Sequence, residues 1–183
     1  MAPFPLRVVV TGSESTGKTT LAAQLARALG TRWVPEFSRH YAEQVRRPLT
    51  AADVAPIAHG QVAAEEQALA EWRTTWGPGA EWPPVVLDTD LVSTTVYAEH
   101  YYGECPAWIM TAARERLATL YLLCEPDVPW TADGVRDQPS ARDRLHGAFR
   151  DRLLSLGATV ASVHGVGDAR VACAMDALAS LRA

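Results

Sequence analysis

The sequence lacks both a surplus of positive charge and a patterned set of cysteines. Its 183 residues include 17 Lys and Arg against 21 Asp and Glu, a net charge of −4 at pH 7. Nucleic-acid phosphates recruit proteins with basic faces, so this balance argues against nucleic acid as the main partner, although a local basic cluster can still bind a small phosphorylated ligand. The three cysteines fit neither a disulfide framework nor a zinc site, and we expect reduced thiols.

Long apolar runs are also absent. The run 8–10 is too short to cross a membrane, and the N-terminus shows neither the sustained apolar region nor the cleavage site of a secretory signal. We therefore expect a cytoplasmic protein with no membrane partner. The chain has 48% hydrophobic residues and is long enough to fill one domain, whereas two halves would have thin cores. We predict a single domain over residues 1–183.

Short apolar runs alternate with helical segments along the chain. The runs predict buried strands at residues 6–11, 31–34, 85–87, 119–123 and 159–163. Helices are predicted at residues 18–29, 38–47, 51–75, 91–100, 107–117, 145–156 and 166–181. This alternation predicts a three-layer α/β fold, in which a parallel five-stranded sheet carries helices on both faces.

A glycine-rich turn lies between the first predicted strand and the first predicted helix. Residues 12–19 read Gly-Ser-Glu-Ser-Thr-Gly-Lys-Thr, the pattern of a P-loop in a P-loop NTPase fold. Glycines let backbone N–H groups surround phosphate, and the N-terminus of the following helix adds a favourable field. Lys18 is expected to reach the β- and γ-phosphates of ATP, and Thr19 to coordinate Mg²⁺. The predicted ATP contacts in this loop are Gly12, Ser15, Thr16, Gly17, Lys18, Thr19 and Thr20.

Three acids follow predicted strands, which is where ligands bind in open α/β sheets. Asp88 ends a buried strand and is predicted to hold Mg²⁺ together with Thr19. Asp90 is either the N-cap of the next helix or a ligand contact, and the two roles are compatible. Glu36 is either a solvated or capping loop acid, or a group that orients an acceptor hydroxyl together with Arg39. From the residues alone, both alternatives for Glu36 are open.

A charged, proline-containing segment at about residues 125–145 is predicted to be a flexible lid. Arginine can pair its donors with phosphoryl oxygens, so we expect Arg142 and Arg144 to contact the phosphates of ATP. Trp130 in the same segment either packs on the core or stacks on a heteroaromatic ring, and a cationic ring would suit such stacking. The same question applies, less strongly, to three tyrosines: Tyr97, Tyr101 and Tyr102.

Together these motifs resemble the ribosylnicotinamide kinase domain of the NadR family. The resemblance rests on the P-loop and on residues 35–41 (Pro-Glu-Phe-Ser-Arg-His-Tyr), 57–61 (Ile-Ala-His-Gly-Gln), 87–90 (Leu-Asp-Thr-Asp), 93–95 (Ser-Thr-Thr) and 129–136 (Pro-Trp-Thr-Ala-Asp-Gly-Val-Arg). The P-loop is generic, whereas the first and last of the other stretches are much more specific. In order and spacing, the matching stretches cover nearly the whole chain.

The resemblance implies transfer of the ATP γ-phosphate to the 5′-hydroxyl of nicotinamide riboside, which gives nicotinamide mononucleotide. It also implies that Lys18, Thr19 and Asp88 serve ATP and Mg²⁺. A riboside would be surrounded by Glu36, Arg39, Asp90, Trp130 and Arg136, and the chemistry would involve Lys18, Glu36, Asp88 and Arg136.

Two alternatives remain beside this interpretation. One is a kinase for another nucleoside or for a cofactor precursor such as dephospho-coenzyme A. The other is a nucleotide-dependent ATPase or switch that binds a partner protein, which would keep the P-loop and Asp88 but would need no acceptor pocket.

Overall fold

A computed structural model describes residues 5–76, 82–130 and 141–181. Its strands are β1 (Arg7–Thr11), β2 (Trp33–Val34), β3 (Val85–Asp88), β4 (Leu120–Cys124) and β5 (Val160–Val163). Its helices are α1 (Lys18–Ala28), α2 (Phe37–Val45), α3 (Val54–Trp76), α4 (Leu91–Tyr102), α5 (Ala107–Glu115), α6 (Arg142–Ser155) and α7 (Asp168–Ser180). A 3-10 turn at Ala51–Asp53 leads into α3.

The strands form one parallel sheet in the order β2-β3-β1-β4-β5. The central strand β1 pairs Val9 with Leu87 of β3 and with Tyr121 of β4. All three valines of β1 are fully buried, which explains why the strand reads as a continuous apolar run rather than an alternating one. The predicted α/β fold with five parallel strands is confirmed.

Successive side chains of β1 point to opposite faces of the sheet, and each face has its own core. Val9 packs in a cluster with residues of α3, α4 and α5, including Trp72 and Ile109. Val8 and Val10 pack on the other face with α1 and α7, including Leu21. Helices therefore cover both faces, as a buried parallel sheet requires.

Most element boundaries differ from the prediction by one to three residues, and those of β2 and α6 have a clear physical reason. β2 contains only Trp33 and Val34, because the strand lies at the edge of the sheet and Pro35 follows it. Helix α6 begins at Arg142 rather than at residue 145. Its first turn is charged instead of apolar, so hydrophobic periodicity gives no sign of it, although Asp143 is favourable near a helix N-terminus.

The corner between α2 and α3 is held by Asp53. Two nitrogens of Arg47 donate to its carboxylate over 2.7 and 2.8 Å, and the hydroxyl of Tyr41 donates over 2.9 Å. The backbone N–H and the hydroxyl of Thr50 donate to the same carboxylate. The hydrogen bonds from Arg47 in particular hold the pKa of Asp53 below its ordinary value. This corner is therefore fixed while Asp53 is ionised.

Close packing between α2 and α3 depends on Gly60. A Cβ atom at this position would lie 2.0 Å from Cε1 of Phe37, so only glycine fits without movement of the ring. Among residues 5–76, 82–130 and 141–181, no helix is both long enough and apolar enough to span a membrane.

Candidate active site

The P-loop, Glu36 and Asp88 meet at one edge of the sheet, which the carboxyl ends of its strands form, because β1, β2 and β3 are parallel and end on the same side. β1 leads into the P-loop, β2 is followed closely by Glu36, and β3 ends at Asp88. The sheet topology thus brings together groups that are up to about 70 positions apart in the sequence.

The backbone of the P-loop uses conformations that few side chains tolerate. Gly12 has φ of 136°, and a Cβ there would lie 3.0 Å from the carbonyl oxygen of Cys124. Gly17 precedes α1 with φ of 74°, and Ser15 adopts φ of 52°. These left-handed residues curve the loop around the N-terminus of α1, where free N–H groups favour an anion.

Lys18 lies inside this loop, and its Nζ donates to the carbonyl oxygen of Ser13 over 2.8 Å. Burial lowers the pKa of Lys18, but surrounding acidic groups, among them Glu36 and Asp88, outweigh burial and leave the pKa above its ordinary value. The side chain is therefore an ammonium ion inside a loop shaped for phosphate. It is also the only lysine in the chain.

Asp88 and Thr19 lie side by side at the end of β3. The Thr19 hydroxyl donates to Oδ2 of Asp88 over 2.6 Å, while Oδ1 is buried and has no hydrogen-bond partner within the described ranges. Burial and the nearby charge of Glu36 raise the pKa of Asp88 to about 6. A buried carboxylate oxygen without a partner, beside a hydroxyl, offers the hard oxygen ligands that Mg²⁺ prefers. These two residues fit a magnesium ion.

A first cavity, the α3–α4 cavity, lies beside this edge. It is lined by Glu36, Ser38, Leu49, Thr50, Val54, Ile57, Gln61, Thr89, Ser93, Thr94, Tyr97, Ala98, Tyr101 and Tyr102. Most of these side chains are uncharged, and the aromatic ones come from α4. Glu36 is nearly buried and accepts a hydrogen bond from the Ser38 hydroxyl over 2.6 Å.

The tyrosines of α4 connect this cavity to the P-loop. The rings of Tyr97 and Tyr101 stack with centroids 6.2 Å apart. The hydroxyl of Tyr97 donates to the carbonyl oxygen of Gly12 over 3.4 Å, and that of Tyr101 donates to the carboxylate of Glu14. The tyrosines that could stack on a ring therefore form a wall of the α3–α4 cavity, and two of them are bonded to the phosphate loop.

A second cavity, the P-loop cavity, lies on the other side of Glu36. It is lined by residues 15–21 together with Gln24, Arg39, Val128, Pro129, Val166, Gly167 and Arg170. Arg39 belongs to this lining, and its Nη2 lies 3.9 Å from Oε2 of Glu36. The ion pair of Glu36 and Arg39 therefore marks the boundary between the two cavities.

Comparison with known proteins agrees with this geometry. A family model described as an AAA domain matches residues 7–170. The chain belongs to the AAA domain family. Over 161 residues this AAA domain is 27% identical to the trifunctional NAD biosynthesis/regulator protein NadR of Salmonella typhimurium. That match covers 84% of the chain but only 36% of the relative, so the chain spans about a third of the length of that relative.

Two solved structures of NadR superpose on the AAA domain. NadR in complex with NR gives a TM-score of 0.76 at 28% identity and covers 97% of this chain and 52% of that one. NadR in complex with NAD and AMP-PNP gives 0.77 at 26% identity and covers 97% and 49%. The resemblance to the NadR family that the motifs predicted is confirmed.

The first two arginines of α6, Arg142 and Arg144, lie on different sides of the helix. Arg142 lies against the P-loop, where one nitrogen donates to the carbonyl oxygens of Ser15 over 2.9 Å and Val128 over 2.8 Å. Arg144 is exposed and lines a groove with Glu99 and His100 on the other side of α6. Two positions on a helix are about 200° apart, so one face cannot present both. The predicted ATP contact of Arg144 is therefore corrected.

Asp90 is the N-cap of α4, as one of the two alternatives had it. Its Oδ1 accepts from the backbone N–H of Val92 over 2.9 Å, and its Oδ2 accepts from the hydroxyl of Tyr121 over 2.6 Å. Asp90 is buried and is not among the described residues that line the α3–α4 cavity. Both carboxylate oxygens are thus bonded to the protein, which confirms the capping role, while the predicted riboside contact of Asp90 stays a prediction.

The remaining predictions concern the segment after β4. Trp130 is half-buried and is the last residue described before the gap at 131–140, and the described lining of both cavities does not include it. Arg136 lies outside the described residues, as does the part of the predicted lid (125–145) that spans residues 131–140. Their roles stay predictions from the resemblance.

Two residues near the site were not predicted as site residues, although Gln61 belongs to the stretch 57–61 that carries the resemblance. Gln61 of α3 lines the α3–α4 cavity, and its Oε1 accepts a hydrogen bond from the backbone N–H of Phe37 over 3.0 Å. Arg170 of α7 is buried beside the P-loop cavity and donates to the carbonyl oxygen of Thr16 over 3.0 Å. A single arginine in an alanine-rich helix is the signal that would have pointed to Arg170.

Proposed function

We propose that this AAA domain transfers the γ-phosphate of ATP to the 5′-hydroxyl of nicotinamide riboside and so makes nicotinamide mononucleotide for NAD salvage. The observation that carries the proposal is the boundary between the two cavities. Glu36 lines one cavity, and its partner Arg39 lines the other. A kinase needs such a boundary, since a phosphate donor and a hydroxyl acceptor must meet there. Similarity to NadR, solved with NR and with AMP-PNP, supports this pair of ligands.

The donor binds in the P-loop cavity with its phosphates on the backbone N–H groups of residues 12–19. The Lys18 ammonium lies where the β- and γ-phosphates fit. Thr19 and Asp88 would hold Mg²⁺, which neutralises phosphate charge when it is bound. Arg142 holds the loop through Ser15 and contributes to its shape.

The acceptor binds in the α3–α4 cavity, whose described lining contains a carboxylate but no lysine or arginine. A nucleotide acceptor would bring a phosphate group that needs cations, whereas a nucleoside would not. The aromatic wall of Tyr97, Tyr101 and Tyr102 suits a flat ring, and a cationic pyridinium is attracted to both an aromatic face and a carboxylate. The chemistry of the lining therefore favours nicotinamide riboside over an anionic acceptor.

In the transfer, the 5′-oxygen forms a bond to the γ-phosphorus as the bond to the bridging β–γ oxygen breaks, and ADP leaves. Glu36 orients the attacking hydroxyl and accepts its proton, because it is the carboxylate at the boundary of the cavities. Lys18 and Arg39 offset the negative charge of the phosphates. Trp130 and Arg136 complete the acceptor site in this proposal, as the resemblance implies.

A coupled ADP-release assay tests the proposal with Mg-ATP and a series of acceptors: nicotinamide riboside, other nucleosides and dephospho-coenzyme A. We expect the highest kcat/KM with nicotinamide riboside. No ADP release that depends on nicotinamide riboside would refute the substrate, and ATP hydrolysis that is indifferent to every acceptor would favour a switch or ATPase.

The Glu36→Gln variant tests the role of the boundary. We expect acceptor kcat/KM to fall about 100-fold while the Kd for an ATP analogue stays unchanged, since general-base and orienting groups contribute effects of that size. Glu43→Gln is the matched control, because Glu43 is exposed on the same helix. Equal losses in acceptor use and nucleotide binding would count against the assignment.

A further inference from the structure

The P-loop cavity extends beyond the phosphate loop into a cleft between two loop segments. Val128 and Pro129, after β4, form one wall, and Val166 and Gly167, before α7, form the other. The walls present apolar side chains and glycine, and 65% of the surface of Val166 is exposed. Exposed apolar side chains at a cleft are typical of a surface that a ligand covers. With phosphates on the P-loop, the base of the donor fits between these walls.

Arg170 joins both walls to the P-loop. Its Nη1 donates to the carboxylate of Asp127 over 2.6 Å and to the carbonyl oxygen of Gly165 over 2.7 Å. Its Nη2 donates to the carbonyl oxygens of Thr16 over 3.0 Å and Glu125 over 2.9 Å. One guanidinium therefore bonds three segments that are distant in the sequence.

Asp127 also bonds the opposite loop, and we call the pair of Asp127 and Arg170 the clamp. Its Oδ2 accepts from the backbone N–H of Gly165 over 2.7 Å, while its Oδ1 accepts from Arg170. The side chain of Arg170 is only 6% exposed. Separation of the two loops would leave this buried charge without its partners, which is costly. The width of the cleft is therefore set by the pair.

The P-loop itself has other bonds that do not involve Arg170. Lys18 and the Thr16 hydroxyl both donate to the carbonyl oxygen of Ser13, and Arg142 donates to that of Ser15. Loss of Arg170 should thus disturb the walls of the cleft more than the phosphate-binding loop.

We propose that Arg170 and Asp127 are positioning residues that hold the two walls at the spacing of the donor base and thereby set the affinity for ATP. The proposal rests on the proposed use of ATP, but not on the identity of the acceptor.

Equilibrium titration with ATP and with inorganic tripolyphosphate tests the proposal, because tripolyphosphate reaches the P-loop and lacks a base. For Arg170→Met we expect Kd for ATP to rise about tenfold or more, as several charged hydrogen bonds are lost, while Kd for tripolyphosphate stays unchanged. Arg170→Lys should recover part of the loss, and Asp127→Asn should show a smaller change in the same direction. Arg150→Met is the control, since Arg150 is half-exposed and bonds only the side chain of Glu125 in that segment.

Equal weakening of ATP and tripolyphosphate would overturn the proposal, because Arg170 would then act on the P-loop or on the whole fold. Unchanged affinity for ATP would overturn it as well. If circular dichroism shows that Arg170→Met does not fold, Asp127→Asn decides by the same two criteria. A wild-type protein that binds ATP but does not phosphorylate nicotinamide riboside would refute the proposed function and leave this comparison of Kd values intact.

Discussion

The two cavities that meet at Glu36 and Arg39 are built in opposite ways. The P-loop cavity is formed largely by main chain: consecutive residues 15–21 line it, and left-handed conformations at Ser15 and Gly17 shape it. The α3–α4 cavity is formed by side chains from residue 36 to residue 102. A site of backbone N–H groups recognises any phosphate, whereas a site of scattered side chains recognises one acceptor. Under the proposed function, donor chemistry and acceptor choice are expected to be separable.

The largest effect that would test this separation is expected for Lys18→Met. Loss of the only ammonium in the P-loop should lower kcat about 1,000-fold, since removing one preorganised charge-stabilising group costs that much. Nicotinamide riboside should still bind, because the α3–α4 cavity does not include Lys18 in its lining. Steady-state kinetics and calorimetric titration of the riboside check both parts. A parallel loss of riboside binding would show that the two cavities are not separable.

A smaller effect is expected for Gly60→Ala, which acts on the acceptor side. The new Cβ would lie 2.0 Å from the ring of Phe37, so the ring or α2 must shift, at a cost of about 1–3 kcal/mol in the free energy of unfolding. We expect KM for the acceptor to rise and KM for ATP to stay unchanged. Gly147→Ala is the matched control, because a Cβ at this glycine of α6 meets no atom within 4 Å. Equal stability of the two variants would contradict the packing argument.

The smallest effect concerns Glu65, which is buried beneath Gln61 and pairs with Arg7 and Arg116 over 3.1 and 3.6 Å. Burial, helped by the charge of Asp90, raises the pKa of Glu65 from 4.5 to about 7. Between these two values the folded protein holds a proton that the unfolded chain has lost. The contribution of Glu65 to stability is therefore present below pH 4.5 and decreases as pH rises to 7.

Glu65→Gln should remove this dependence. From pH 5 to pH 8 the free energy of unfolding of the wild type should fall relative to that of the variant. We expect this relative change to be on the order of 1 kcal/mol. Urea denaturation at several pH values measures it. Glu66→Gln is the control, since the neighbouring Glu66 is exposed and also pairs with Arg116. The same pH dependence in both variants would rule out Glu65 as its source.

The donor side was largely predictable from the sequence, because its residues are consecutive or end a strand. The P-loop reads directly from residues 12–19, and the contact of Thr19 with Asp88 follows from the adjacency of β1 and β3. Strand and helix order was also predictable, since each buried run is continuous. Boundaries were less predictable, and those of β2 and α6 were missed because edge position and charge set them.

The acceptor side and the clamp were much less predictable. The bond of Tyr97 to Gly12 joins residues 85 positions apart, and that of Arg170 to Thr16 joins residues 154 positions apart. No local pattern encodes such pairs, because they depend on how helices pack on the sheet. The contrast between Arg142 and Arg144 depends on which side of α6 faces the P-loop. The sequence does not reveal this, because both arginines lie in a stretch of charged residues.

The single lysine has a consequence for covalent chemistry. Of the 17 Lys and Arg residues, 16 are arginines. The chain therefore has one ε-amino group, and it lies in the phosphate loop. Any acylating reagent or lysine-acetylating enzyme that modifies an ε-amino group of this chain must therefore modify Lys18 and remove its positive charge. Labelling of the ε-amino group at that position should report on whether the phosphate loop is filled, because the sequence has no other ε-amino group.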